Sequence, residues 1–145
     1  MQKIPKNCAD FGRKSLKILV VENDQNFLDI LKSYLHVMCN DSEIHCCASG
    51  SDALFCLHKC NYDLMIFDQG LEGSISGKRL WEICQKQFPS LPAILISGLS
   101  IEDFMKLFKS RTTYPSFLPK PFRTQELRAA MQDILADNGE LKKAA

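Results

Sequence analysis

Charged and hydroxyl-bearing residues stand where apolar runs stop. "LKILVV" runs into Glu22-Asn23-Asp24, "DLMIF" into Asp68, "AILI" into Ser97 and "SFLP" into Lys120. A carboxylate in such a place can cap a turn, hold a metal or act as a nucleophile. Acidic and amide oxygens beside Asp68 suit a hard cation such as Mg2+, which takes few protein oxygens and keeps several waters. A lysine nearby pairs with Asp68 and with any negative charge added to it. A serine hydroxyl hydrogen-bonds a phosphoryl oxygen. An aspartate can attack phosphorus to give an acyl phosphate, and metal and ammonium neutralise the charge that builds up in that transfer. Taken singly, Asp68 also reads as a turn cap, Lys120 equally as a surface lysine, and Ser97 more readily as a helix N-cap. Their common position at the ends of apolar runs argues for chemistry.

Something must bring these ends together. Five short apolar runs, 16–21, 43–48, 63–68, 93–97 and 116–120, alternate with longer amphipathic segments. Several runs are continuous, as in strands buried on both faces of a parallel sheet. Between them, Phe27, Ile30, Leu31, Tyr34, Leu35 and Met38 recur at helical spacing, with Asp24 as N-cap. A second helix follows "SGSD" and carries Ala53, Leu54 and Leu57. A third follows Gly77, carries Leu80, Ile83 and Cys84, and stops before Pro89. A fourth spans about 101–111. A fifth follows Pro121, with Thr124 as N-cap and Leu127, Met131, Ile134 and Leu135 inward. This alternation predicts a three-layer α/β domain with right-handed crossovers. In an open parallel sheet, ligands gather at the carboxyl ends of the strands. Residues 1–15 read as a flexible N-terminal extension, 16–136 as the domain and 137–145 as a C-terminal tail.

Composition removes other classes. The chain has 145 residues, 46% of them hydrophobic, and a net charge of +1, so it suits one ordinary core and shows no bias toward nucleic acid or anionic membrane. No apolar run approaches a membrane span, and the polar start lacks the apolar core of a signal peptide. The expected location is the cytoplasm. Cys8, Cys39, Cys46, Cys47, Cys56, Cys60 and Cys84 show no C-x-x-C spacing. They read as reduced thiols serving as small apolar residues rather than as a metal site.

Over roughly residues 16–136 the sequence resembles a response-regulator receiver domain. "KILVVEND", "ASGSDALFCL", "YDLMIFD", "FPSLPAILISG" and "FLPKPF" follow in the family's order. The resemblance implies a doubly wound five-stranded parallel sheet of flavodoxin-like type with strand order 2-1-3-4-5. It implies that Asp68 accepts a phosphoryl group from a histidine kinase or histidine phosphotransferase. Glu22, Asn23, Asp68 and the Gly70 carbonyl would hold Mg2+. Ser97 and Lys120 would bind the phosphoryl group, Ser97 and Phe117 would form the switch, and Gly98 would leave space beside it. The Lys–Pro bond after the last strand is usually cis in the family. The output would be a downstream protein docking on the face of helix 4, strand 5 and helix 5.

Three departures shape the expectation. Asn23 stands where the family usually has a second carboxylate, which predicts weaker metal binding. The loop "DQGLEGSISG" has Leu71-Glu72 in place of Met-Pro, and Gly77 arrives one residue late. Phe117 has no hydroxyl, so switching would rest on packing. The alternative is a pseudo-receiver acting as a phosphorylation-independent interaction module. An aspartyl-phosphate phosphatase is disfavoured by Gly70 at the place of its general acid. A flavin-binding module is disfavoured by "ENDQN" after the first strand.

Overall fold

The computed structural model describes Phe11, residues 15–109 and residues 113–144, with 137–144 described through their backbone alone. Strands and helices alternate: β1 (Lys17–Val21), α1 (Gln25–Met38), β2 (Glu43–Cys47), α2 (Gly50–Lys59), β3 (Leu64–Phe67), α3 (Gly77–Gln87), β4 (Ala93–Ser97), α4 (Ile101–Leu107), β5 (Ser116–Pro119) and α5 (Thr124–Ala144). The strands form one parallel sheet in the order β2-β1-β3-β4-β5, the predicted doubly wound arrangement.

The continuous apolar runs fill both faces of the sheet. Ile18, Val20, Leu64, Ile66, Ile94 and Ile96 meet Leu28, Leu31 and Leu35 of α1 and Leu127, Met131 and Leu135 of α5. The alternate residues, Leu19, Val21, Met65, Phe67 and Leu95, meet Ala53 and Leu57 of α2, Leu80 and Trp81 of α3 and Phe104 of α4. Successive side chains on a strand point to opposite faces, so a strand between two helical layers has no polar side to spare. Truncating Ile66 to alanine would cost about 2–5 kcal/mol. Phe11, within the segment read as an extension, is itself buried on the α1–α5 side.

The register places the site. Val21 pairs with Phe67, so Glu22 and Asp68 leave the sheet as neighbours. Ser97 pairs with Pro119, which puts Lys120 just beyond it.

Several local expectations need correction. On α1, Ile30 is exposed and Leu28 is buried in its place. Each residue turns a helix by about 100°, so with Leu31 facing the sheet, Ile30 is carried off the inward arc. The α2 helix starts at Gly50, with Ser49 accepting from the Asp52 N–H. On α3, Trp81 is buried beside Leu80 and Cys84, while Ile83 is half-buried. The α4 helix ends at Leu107, short of 111. Thr124 opens α5 as its first helical residue; the capping group is Glu126, whose carboxylate accepts from the Arg123 N–H at 3.1 Å. Cys39 is disulfide-bonded, against the expectation of reduced thiols throughout. Cys46, Cys47, Cys56, Cys60 and Cys84 are free. Burial pushes the Cys47 and Cys84 thiols up to about 12.

Candidate functional site

Three charged side chains from three strand ends converge at the carboxyl edge. The Lys120 ammonium lies 3.1 Å from Glu22 Oε2 and 3.4 Å from Asp68 Oδ2. The second oxygen of each carboxylate takes a backbone amide: Glu22 Oε1 accepts from Asp24 N–H at 3.0 Å, and Asp68 Oδ1 from Gln69 N–H at 2.7 Å. Glu22 is thus buried yet hydrogen-bonded at both oxygens, which is the condition for keeping a charge out of water. Asp68 remains partly open, and its ammonium contact is the longer of the two.

Backbone contacts hold this edge in place. The Glu22 N–H donates to the Cys47 carbonyl, the Asp68 N–H to the Val21 carbonyl and the Lys120 N–H to the Ser97 carbonyl. Asp24 caps α1 by accepting from the Asn26 and Phe27 N–H groups. The peptide Lys120–Pro121 is cis. The loop after Asp68 is pinned to α3: Gln69 accepts at its carbonyl from Gly77 N–H and at its side-chain oxygen from Lys78 N–H.

The remaining candidate residues are placed differently. Asn23 and Gly70, which follow Glu22 and Asp68 closely in sequence, are exposed. Ser97 is buried, and its hydroxyl accepts from the Leu99 N–H at 3.3 Å. A β-carbon at Gly98 would meet nothing within 4 Å, so the position leaves open space. Phe117 is stacked on Phe104 of α4 with ring centroids 4.4 Å apart and planes 10° apart. Two contacts at this edge were not anticipated from the sequence. Phe27 places its ring 3.9 Å from the Lys120 ammonium, and Gly77 lies against the backbone of Asp68. A glycine opening α3 was a visible signal for the second; nothing in the sequence pointed to the first.

The comparisons with known proteins come to the same place. The family model for the response regulator receiver domain matches residues 18–132. The chain belongs to that family. Among solved structures, it is similar to the receiver domain of a Francisella response regulator, at 27% identity and TM-score 0.70, covering 84% of this chain and 98% of that one. The signal receiver domain of an HD domain-containing protein from Pseudomonas fluorescens Pf-5 matches at 25% identity and TM-score 0.75, covering 87% and 98%. A receiver domain protein from Clostridium thermocellum shares the fold, at 23% identity and TM-score 0.74, covering 87% and 98%. No curated protein sequence matches the chain.

A receiver domain is a signalling module rather than a conventional enzyme. It pairs with histidine kinases in two-component signalling and typically depends on Mg2+. The donor set here fits that ion. Among the described residues no three His, Cys, Asp or Glu side chains form a metal cage, but Mg2+ requires only one or two carboxylates and its own waters. Glu22 and Asp68 already converge on one cation, the Lys120 ammonium, with the Asn23 amide and Gly70 carbonyl as neutral oxygens nearby in the chain. Among the described residues no helix is long and apolar enough to cross a membrane.

Proposed function

We propose that this receiver is a phosphorylation switch with Asp68 as acceptor. The observation that supports it most directly is the Lys120 ammonium held between Glu22 and Asp68. Of the four carboxylate oxygens, Asp68 Oδ2 has the longest contact and is the one freest to act as nucleophile. Its attack on the phosphorus of a phosphohistidine forms the O–P bond as the N–P bond breaks. The electron pair goes to the imidazole nitrogen, which then takes a proton. Lys120 stays beside the new acyl phosphate and offsets its charge. Glu22, Asp68, the Asn23 amide and the Gly70 carbonyl would hold Mg2+, which would supply further positive charge to the phosphoryl oxygens.

The Ser97 hydroxyl would exchange its contact with the Leu99 N–H for a phosphoryl oxygen. Phe117, stacked on Phe104, links β5 to α4, so a change at Ser97 reaches a face bearing the exposed side chains of Ile101, Met105 and Tyr114. That α4–β5–α5 face is the proposed docking surface for a downstream protein, in the cytoplasm. The donor is a histidine kinase or histidine phosphotransferase.

One feature favours the pseudo-receiver instead: Asn23 leaves the pocket a charge short, while the Lys120 ammonium already pairs with both carboxylates. Intact mass after incubation with acetyl phosphate separates the two. The switch requires a Mg2+-dependent phosphoryl adduct that Asp68→Asn loses. The absence of an adduct, together with no response to beryllofluoride, assigns the chain to the pseudo-receivers.

A further inference from the structure

The Lys120 ammonium has a third partner besides its two carboxylates. Its Nζ lies 3.9 Å from the centroid of the Phe27 ring. Ammonium over an aromatic face is attracted by the ring quadrupole, most strongly where water is partly excluded. Lys120 is in such a place, with 23% of its side chain exposed. The ring is itself held. Phe27 is in the first turn of α1, where its N–H is capped by Asp24. Its ring packs edge to face on Phe122 at 5.8 Å and 80°, and Tyr34 braces Phe122 from the same helix at 6.1 Å and 75°. Phe122 follows Lys120 by two residues, so the segment that carries the lysine also fixes the ring that meets it.

We infer that Phe27 is a positioning residue for the phosphoacceptor site, its ring face holding the Lys120 ammonium against Asp68. A long lysine stem samples many rotamers. Two carboxylates alone leave the ammonium free to swing toward solvent. A ring 3.9 Å from Nζ restricts that freedom without neutralising the charge that the phosphoryl group needs. An aliphatic residue would fill the same space but offer the cation nothing.

The inference rests on the proposed acceptor role of Asp68 for its consequence, but not for its geometry, and the test separates them. A trifluorinated phenylalanine at position 27 keeps the shape and weakens the ring quadrupole. Phe27→Leu removes the ring, and Phe27→Trp supplies a stronger one. The first readout is the NMR position of the Lys120 Hε protons, which ring current moves upfield in the wild type. That shift should persist in Phe27→Trp and vanish in Phe27→Leu. The second is the rate of phosphoryl uptake from acetyl phosphate, which should fall about two- to fivefold in the trifluorinated protein and in Phe27→Leu. Phe27→Trp should retain the wild-type rate or better. Uptake unchanged in the trifluorinated protein would overturn the inference, as would Lys120 Hε positions equal in wild type and Phe27→Leu. If wild type takes up no phosphoryl group, the acceptor reading fails, while the Lys120 resonances still decide whether the ring holds the ammonium.

Discussion

Gly77, the first residue of α3, leaves no room for a β-carbon against the backbone of Asp68. A β-carbon there would overlap the Asp68 carbonyl and lie 2.7 Å from Cα of Gln69. Backbone atoms have no rotamer by which to escape, so the loop or the helix must move. Gly77→Ala is therefore expected to cost about 1–3 kcal/mol of stability, and to displace the Gln69 N–H that holds Asp68 Oδ1. Denaturant unfolding measures the first effect and acetyl phosphate uptake the second. A variant with wild-type stability would mean that the two backbones separate at no cost.

Removal of the shared ammonium leaves two acids facing each other. In Lys120→Met, Glu22 loses its only charged hydrogen-bond partner among the described residues while staying buried. A buried charge stripped of its partner destabilises the fold; with Lys120 itself 23% exposed, we expect about 1–3 kcal/mol rather than the full cost of a wholly buried pair. The freed carboxylates should also bind Mg2+ more tightly. Added Mg2+ should then raise the melting temperature of Lys120→Met by more than that of wild type. Equal rises would show that the metal and the ammonium do not share these oxygens.

How much of this was legible in the sequence follows from where each interaction is made. Apolar runs covered on both faces are readable because consecutive residues in them are apolar, as in residues 18–21 of β1 and in Leu64–Phe67, and the polar residue that ends such a run is conspicuous. Glu22, Asp68, Ser97 and Lys120 could be picked out on that ground alone. Asp24 was readable as a cap because its partners, Asn26 and Phe27, are its near neighbours. The phase of α1 was not, since Ile30 and Leu28 are both apolar and only packing against the sheet decides between them. The cap of α5 was misplaced because Thr124 has the stronger intrinsic preference, whereas the contact is made by Glu126 reaching back to Arg123. The meeting of Phe27 and Lys120 depends on β1 and β5 lying in one sheet with β3 and β4 between them. No local pattern encodes it.

Asn23 offers a test of the pocket in the direction of gain. Asn23→Asp adds a carboxylate to an exposed position next to Glu22. The affinity of a hard cation follows the number of charged oxygen ligands, so Mg2+ should bind on the order of tenfold more tightly. Isothermal titration gives the number. Unchanged or weaker affinity would remove Asn23 from the metal pocket.

The free cysteines predict an alkaline limit to the fold. Cys47 and Cys84 are pushed from 9.0 up to about 12 by burial, and Tyr62 from 10.0 up to about 12, also chiefly by burial. Each group binds its proton more tightly when folded than when unfolded. Their contribution is therefore fully present below pH 9 and is lost as pH rises from about 9 toward 12. The denaturation midpoint should fall across that window, and less steeply in Cys84→Ala. The same shifts govern reactivity, because the thiolate is the nucleophile. Below pH 9 the buried Cys84 thiol is held in its protonated form. Iodoacetamide should accordingly label Cys84 far more slowly than an ordinary exposed thiol, with the rate rising as pH rises. Peptide mapping by mass spectrometry reads each cysteine separately. Labelling of Cys84 at the rate of a small free thiol would mean that the α3 face of the core opens far more readily than its packing implies.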